Sequence, residues 1–168
     1  LDVTYESWME TRRLHAPDEL AARLSEGSVS ILVIEADFVF QEVFDGAPTL
    51  RFVGICRNAT YQVDIKAATR HGVLVVNTPS RNAQAVAELS LGLMLSLARQ
   101  IPPAHRYVTD GQWQDPVEPY LSMRGVELAG RTLGVIGLGA IGSRLASMAS
   151  ALGMTCLAHD PYVSDPPK

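Results

Sequence analysis

The residues with the clearest chemical spacing are Gly137-Leu-Gly139-Ala-Ile-Gly142. A glycine at the first of these positions permits a tight turn. At the second it lets backbone approach a phosphate, and at the third it lets a helix lie close on a strand. The run before it, Leu133-Gly-Val-Ile-Gly137, reads as a short buried strand, and Ser143 to Leu152 reads as an amphipathic helix. In that setting the backbone N–H groups at Gly139, Ala140 and Ile141 face a pyrophosphate at a helix N-terminus, where the dipole favours anions. Asp160 follows about 20 residues after the last glycine, directly behind a strand at Thr155–His159. A carboxylate there accepts hydrogen bonds from an adenosine ribose and repels a 2′-phosphate. The pattern therefore predicts NAD rather than NADP as the cofactor.

The elements that position this motif alternate along the chain. Short β-rich runs occur at Ser30–Ala36, Phe52–Cys56 and Val73–Asn77, ahead of the two named above. Their near-continuous apolar character predicts burial on both faces, as in parallel sheets. Pro17 to Leu24 has proline and acids in its first turn and stops at Gly27, and Val63 to Arg70 stops at Gly72, both in the manner of helices. Asn82 to about Ile101 reads as one long helix, apolar on all sides, stopped by Pro102-Pro103. The stretch from Pro102 to Arg131 reads as a connecting loop. The fold class is α/β with parallel strands.

Composition bounds the rest. The 168 residues are 47% hydrophobic and 19% charged, with net charge −4. That balance fits a globular protein and supplies no general attraction for nucleic acid or anionic membrane. Cys56 and Cys156 lie far apart in apolar runs, which predicts buried, reduced thiols and a cytoplasmic setting. No run is long enough to span a bilayer. His15, His71, His105 and His159 show no metal-ligand spacing. His71 is placed to help the last carbonyls of its helix, His159 ends a strand, and His15 and His105 read as surface residues.

The chain resembles the D-isomer-specific 2-hydroxyacid dehydrogenases, most closely their D-3-phosphoglycerate dehydrogenase branch. The matching stretches are Asp64-Ile-Lys-Ala-Ala-Thr-Arg-His-Gly-Val-Leu-Val-Val-Asn-Thr-Pro79, Ala87-Glu88, Ala98-Arg-Gln-Ile101, Gly111-Gln-Trp113, Leu128 to Gly137, and Gly153-Met154 through Asp160-Pro161. The resemblance implies a flavodoxin-like parallel-sheet substrate domain over residues 1–80. A helix linking domains and contributing to a dimer would cover 81–103, and the first half of a Rossmann NAD-binding domain 104–168. It implies an NAD-dependent oxidoreductase that moves hydride between nicotinamide C4 and C2 of a small-molecule 2-hydroxy or 2-oxo acid. A non-catalytic NAD-sensing, corepressor-like protein of the same fold is the alternative.

The resemblance also locates a departure. Relatives carry a glycine-rich loop after the strand matched by Phe52–Cys56, and its N–H groups hold the substrate carboxylate. Here Arg57, Asn58 and Ala59 stand in that loop. The carboxylate would meet those three residues, with Arg57 able to add an ion pair, and Asn58 would also approach the nicotinamide. Non-glycine residues there restrict φ and narrow the pocket. The family's catalytic Arg, Glu and His lie beyond the position matched by Asp160, so no catalytic residue is assigned in this chain. The expectation is a chain that ends part-way through its second domain and does not turn over substrate. Glu88 is expected as a buried or interfacial acid in the long helix.

Overall fold

The computed structural model describes residues 2–163, so Lys168 lies outside the described residues. The chain forms two compact units, Leu1–Arg81 and Asn82–Lys168. The first contains α1 (Trp8–Thr11), α2 (Pro17–Glu26), β1 (Ile31–Ile34), α3 (Gln41–Gly46), β2 (Phe52–Ile55), α4 (Ile65–Arg70) and β3 (Leu74–Asn77). The second contains α5 (Ala83–Ala98), α6 (Ile101–Thr109), α7 (Val117–Ser122), β4 (Thr132–Ile136), α8 (Ala140–Ala151) and β5 (Thr155–His159).

In the first unit β1, β2 and β3 form a parallel sheet in that order, with Val33, Gly54 and Val76 in register. Successive side chains alternate faces. Ile34, Val53 and Ile55 enter a core shared with Leu24 of α2, Phe44 of α3 and Ala67 of α4. Local chemistry sets the helix ends. Pro17 opens α2 with its fixed φ and missing donor. Asp64 caps α4 by accepting from the Ala67 N–H at 2.9 Å, and Gly72 leaves that helix at φ 66°.

The opposite face of this sheet departs from the expected double burial. Ile31, Val33, Leu74 and Val76 are 44–61% exposed. β-Branched strands fit burial on both faces, but the helices of this unit share a core with one face only.

The second unit pairs β4 and β5 in parallel, Thr132 opposite Thr155 and Ile136 opposite His159. Helix α5 packs on α8. The long helix expected to about Ile101 ends at Ala98, and Gln100 turns left-handed at φ 54°. Pro102 and Pro103 do not begin a loop. They sit in the first turn of α6, where a missing N–H costs nothing, and α7 interrupts the remainder of the expected loop. Nor is α5 buried all round. Only Ala83 and Ala87 are buried, while Leu89, Leu93 and Leu97 are exposed along one face, because α8 covers the other. Glu88 is likewise exposed and accepts from Gln84 Nε2 at 2.8 Å, rather than being a buried acid.

Phe44 is 1% exposed in the centre of the first core. Phe44→Ala is expected to cost about 3–5 kcal/mol, and Asp64→Ala about 1 kcal/mol through its lost cap, both read from urea unfolding followed by circular dichroism.

Candidate functional site

The glycine loop between β4 and α8 is built from three different backbone demands. Gly137 ends the strand at φ 92°, a conformation open to glycine, and its N–H donates to the His159 carbonyl at 2.8 Å. A Cβ on Gly142 would overlap the Gly137 carbonyl oxygen, so the third glycine lets α8 lie against the end of β4. A Cβ on Gly139 would meet nothing within 4 Å. That glycine is needed neither for packing nor for a left-handed φ, and it leaves open space in front of the helix N-terminus.

Gly139 is the N-cap of α8, and no side chain caps that helix. The first-turn amides of Ala140 and Ile141 have no intrahelical acceptor and point out of the helix end, where an anion gains from both the donors and the dipole. Arg144 adds a cation that the sequence motif does not reveal. Its Nη1 folds back to donate to the Ala140 carbonyl at 2.6 Å, bringing the guanidinium to the first turn. The available signal was its spacing, four residues after Ala140, which is the distance a side chain spans back along a helix.

Asp160 follows β5, and its carboxylate holds the loop directly. Oδ2 accepts from the Leu138 N–H at 2.7 Å and Oδ1 from the Tyr162 N–H at 2.8 Å. The Tyr162 and Leu138 amides together hold this carboxyl below the usual Asp range. A carboxylate offers about four acceptor positions, so each oxygen keeps room for a ribose hydroxyl. These groups fit the adenosine and pyrophosphate parts of NAD: an open glycine, free amides, a cation and an ionised acid.

In the first unit the loop after β2 holds the other candidate residues. Arg57 is half-buried, while Asn58 and Ala59 are exposed. The end of β3 pins the loop: the Thr78 N–H donates to the Arg57 carbonyl at 3.1 Å, and Asn77 Nδ2 to the Asn58 carbonyl at 2.6 Å. None of the three has positive φ, so the absence of glycine creates no backbone strain here. Among the described residues the N–H groups of Asn58 and Ala59 have no protein acceptor, and the Arg57 guanidinium has no partner. The loop therefore offers two donors and a charge to an anionic group.

His15 is not a surface residue. Its side chain is 17% exposed, with Nδ1 3.3 Å from Asp37 Oδ1 and Nε2 3.2 Å from Glu6 Oε2. His71 closes α4 as expected through its backbone N–H to Ala67. Its ring, however, reaches Asp45 at 2.9 Å and stacks near Phe44 rather than meeting the helix carbonyls. Cys56 and Cys156 are free but half-buried rather than buried. Among the described residues no helix is long and apolar enough to cross a membrane.

Because the Asp160 pKa is depressed in the folded chain, its contribution is fully present above the ordinary Asp range and is lost as pH falls through the lowered value. Protection of the Leu138 amide, followed by hydrogen exchange, is therefore expected to hold from neutral pH down to that range and to fall below it. Asp160→Asn is expected to weaken that protection at neutral pH.

Comparison with known proteins shows what the chain is similar to. Residues 91–168 match the family described as D-isomer specific 2-hydroxyacid dehydrogenase, NAD binding domain. The chain is 40% identical over 164 residues to the Bacillus subtilis protein YoaD, whose name places it provisionally among the 2-hydroxyacid dehydrogenases. That match covers 97% of this chain and 48% of YoaD. It is 40% identical over 147 residues to D-3-phosphoglycerate dehydrogenase of Rattus norvegicus, covering 88% of this chain and 26% of that protein. Among solved structures, the TT0316 protein from Thermus thermophilus matches with a TM-score of 0.76 and 30% identity, over 88% of this chain and 48% of that one. The chain thus spans about half or less of the length of these relatives.

Proposed function

From the match of residues 91–168 to the D-isomer specific 2-hydroxyacid dehydrogenase NAD binding domain and the likeness of the chain to YoaD and D-3-phosphoglycerate dehydrogenase, we propose that its protein belongs to that family and is an NAD-dependent oxidoreductase acting on the CH–OH group of a D-2-hydroxy acid. Held by the loop between β4 and α8 and by Asp160, NAD would supply the hydride acceptor for C2 of the acid, and NADH the donor for the reverse reduction of a 2-oxo acid. The observation that carries this reading is the loop between β4 and α8, with its open Gly139, its uncapped helix N-terminus and the acid Asp160 anchored beside it.

The chain's own residues bind and orient. Gly137 and Gly142 shape the turn, the amides of Ala140 and Ile141 hold the pyrophosphate, and Arg144 adds charge against it. Asp160 takes the ribose hydroxyls and repels a 2′-phosphate. In the other unit Arg57, with the amides of Asn58 and Ala59, holds the carboxylate of the acid. Asn58 is also the residue of that loop assigned to approach the nicotinamide. No side chain of this chain is assigned the proton transfer. The exposed Leu89, Leu93 and Leu97 on one face of α5 support pairing of two copies through that helix.

Calorimetry with NAD and NADP tests the cofactor. NAD is expected to bind at least about tenfold more tightly than NADP, a difference of about 1.4 kcal/mol. Asp160→Ala should narrow that preference, and Arg144→Gln should weaken both dinucleotides. Equal binding of the two by the unaltered protein refutes the role given to Asp160. NAD binding without NADH oxidation on any 2-oxo acid would make the protein an NAD-sensing module instead.

A further inference from the structure

Three donors at the end of β3 fall on carbonyls at the end of β2 and in the loop behind it. Thr78 Oγ1 donates to Ile55 at 3.2 Å, the Thr78 N–H to Arg57 at 3.1 Å, and Asn77 Nδ2 to Asn58 at 2.6 Å. Register explains the reach. Asn77 pairs with Ile55 across the parallel strands, so the residues leaving β3 lie beside the chain leaving β2. The reversed Asn77 amide would set oxygen against the Asn58 carbonyl oxygen, so its orientation is determined.

Each of these carbonyls belongs to a planar peptide unit whose N–H points the opposite way. The Arg57 carbonyl shares its unit with the Asn58 N–H, and the Asn58 carbonyl shares its unit with the Ala59 N–H. Holding a carbonyl toward β3 therefore aims the next N–H away from it. These are the two N–H groups of the loop that have no protein acceptor among the described residues. The Thr78 contact to Arg57 is backbone to backbone and comes with the sheet. The Asn77 contact depends on one side chain, half-buried at the strand end.

The far end of the loop is anchored independently. Gln62 is 1% exposed, and its Nε2 donates to the carbonyls of Glu35 and Asp37 at 3.3 and 3.2 Å. The Val39 N–H donates to the Gln62 carbonyl at 2.8 Å. The course of the loop is thus secured without Asn77. What Asn77 adds is the direction of the peptide unit between Asn58 and Ala59.

We propose that Asn77 is a positioning residue for the substrate: by holding the Asn58 carbonyl, it turns the Ala59 N–H toward the carboxylate of the acid. The proposal rests on the dehydrogenase reading, in which Arg57 and the amides of Asn58 and Ala59 hold that carboxylate. Asn77 itself touches no substrate in this role. It keeps the carbonyl dipole off the anion's side of the loop and sets the N–H there before the acid arrives. Without it the Asn58 carbonyl is free to turn to water, and the Ala59 N–H loses its fixed direction. A carboxylate is held alike in the ground and transition states, so the loss appears in KM rather than kcat.

Steady-state NADH oxidation by the full protein tests this, with pyruvate, phenylpyruvate and 3-phosphohydroxypyruvate as probes. Asn77→Ala is expected to raise KM about tenfold for whichever acids are reduced, the worth of one hydrogen bond to a charged group. The kcat and the KM for NADH should stay within about twofold. Asn77→Asp keeps the shape of the side chain but, when ionised, sets a carboxylate against the Asn58 carbonyl. It should lose more than Asn77→Ala at neutral pH. Relative to the unaltered protein it should recover as pH falls into the ordinary Asp range, where the protonated carboxyl regains a hydrogen to donate. Calorimetry with oxamate, a mimic of a 2-oxo acid, gives the same comparison without turnover. Reduction of a 2-oxo acid with KM unchanged in Asn77→Ala, with equal losses for acid and NADH, or with an Asn77→Asp loss that persists at acid pH overturns the positioning role and leaves the dehydrogenase reading standing. Oxamate binding that weakens in Asn77→Ala and returns in Asn77→Asp on acidification, with no NADH oxidation on any probe, supports the positioning role and overturns the dehydrogenase reading.

Discussion

The close approach of Gly142 to the Gly137 carbonyl is the constraint from which the second unit is organised. It lets α8 start immediately against the end of β4, with its uncapped N-terminus beside the strand ends. No Cβ fits between them. Once the helix is placed, the free amides of its first turn have a fixed direction, and Asp160 becomes the group that steadies the loop from the neighbouring strand. One carboxylate thereby serves two purposes. It satisfies backbone donors of the protein and keeps acceptor capacity for a ligand, which is possible because each carboxylate oxygen has two lone pairs.

The first unit solves a related problem with side chains. Its parallel strands end in loops rather than hairpins, so their C-terminal ends present unpaired backbone groups. The loop after β2 keeps its amides free because Asn77 and Thr78 tie its carbonyls instead. The arginine and asparagine in that loop adopt ordinary φ values. Substitution of glycine there changes the chemistry of the loop without straining the chain.

Both units leave apolar surface uncovered. Ile31, Val33, Leu74 and Val76 share one face of the first sheet, and Leu89, Leu93 and Leu97 share one face of α5. The same β-branched and leucine-rich composition that makes these elements read as doubly buried also makes the exposed faces apolar. Periodicity reports what a face would bury. It does not report whether the chain brings something to cover it.

The sequence by itself determined the α/β class, the five strands and the glycine loop with its acid. Those features follow from local demands: a left-handed φ at Gly137, a proline at a helix start, an aspartate at an N-cap, and β-branched runs. It did not show that the two prolines start a helix, since the motif for ending one helix is the motif for beginning the next. Nor did it show His15 between two carboxylates, Arg144 folded onto the first turn of α8, or Gln62 buried with its Nε2 on the carbonyls of Glu35 and Asp37. Apart from Arg144, these depend on which residues meet across dozens of positions. Only tertiary structure decides that, because burial and hydrogen-bond satisfaction belong to the packed chain as a whole.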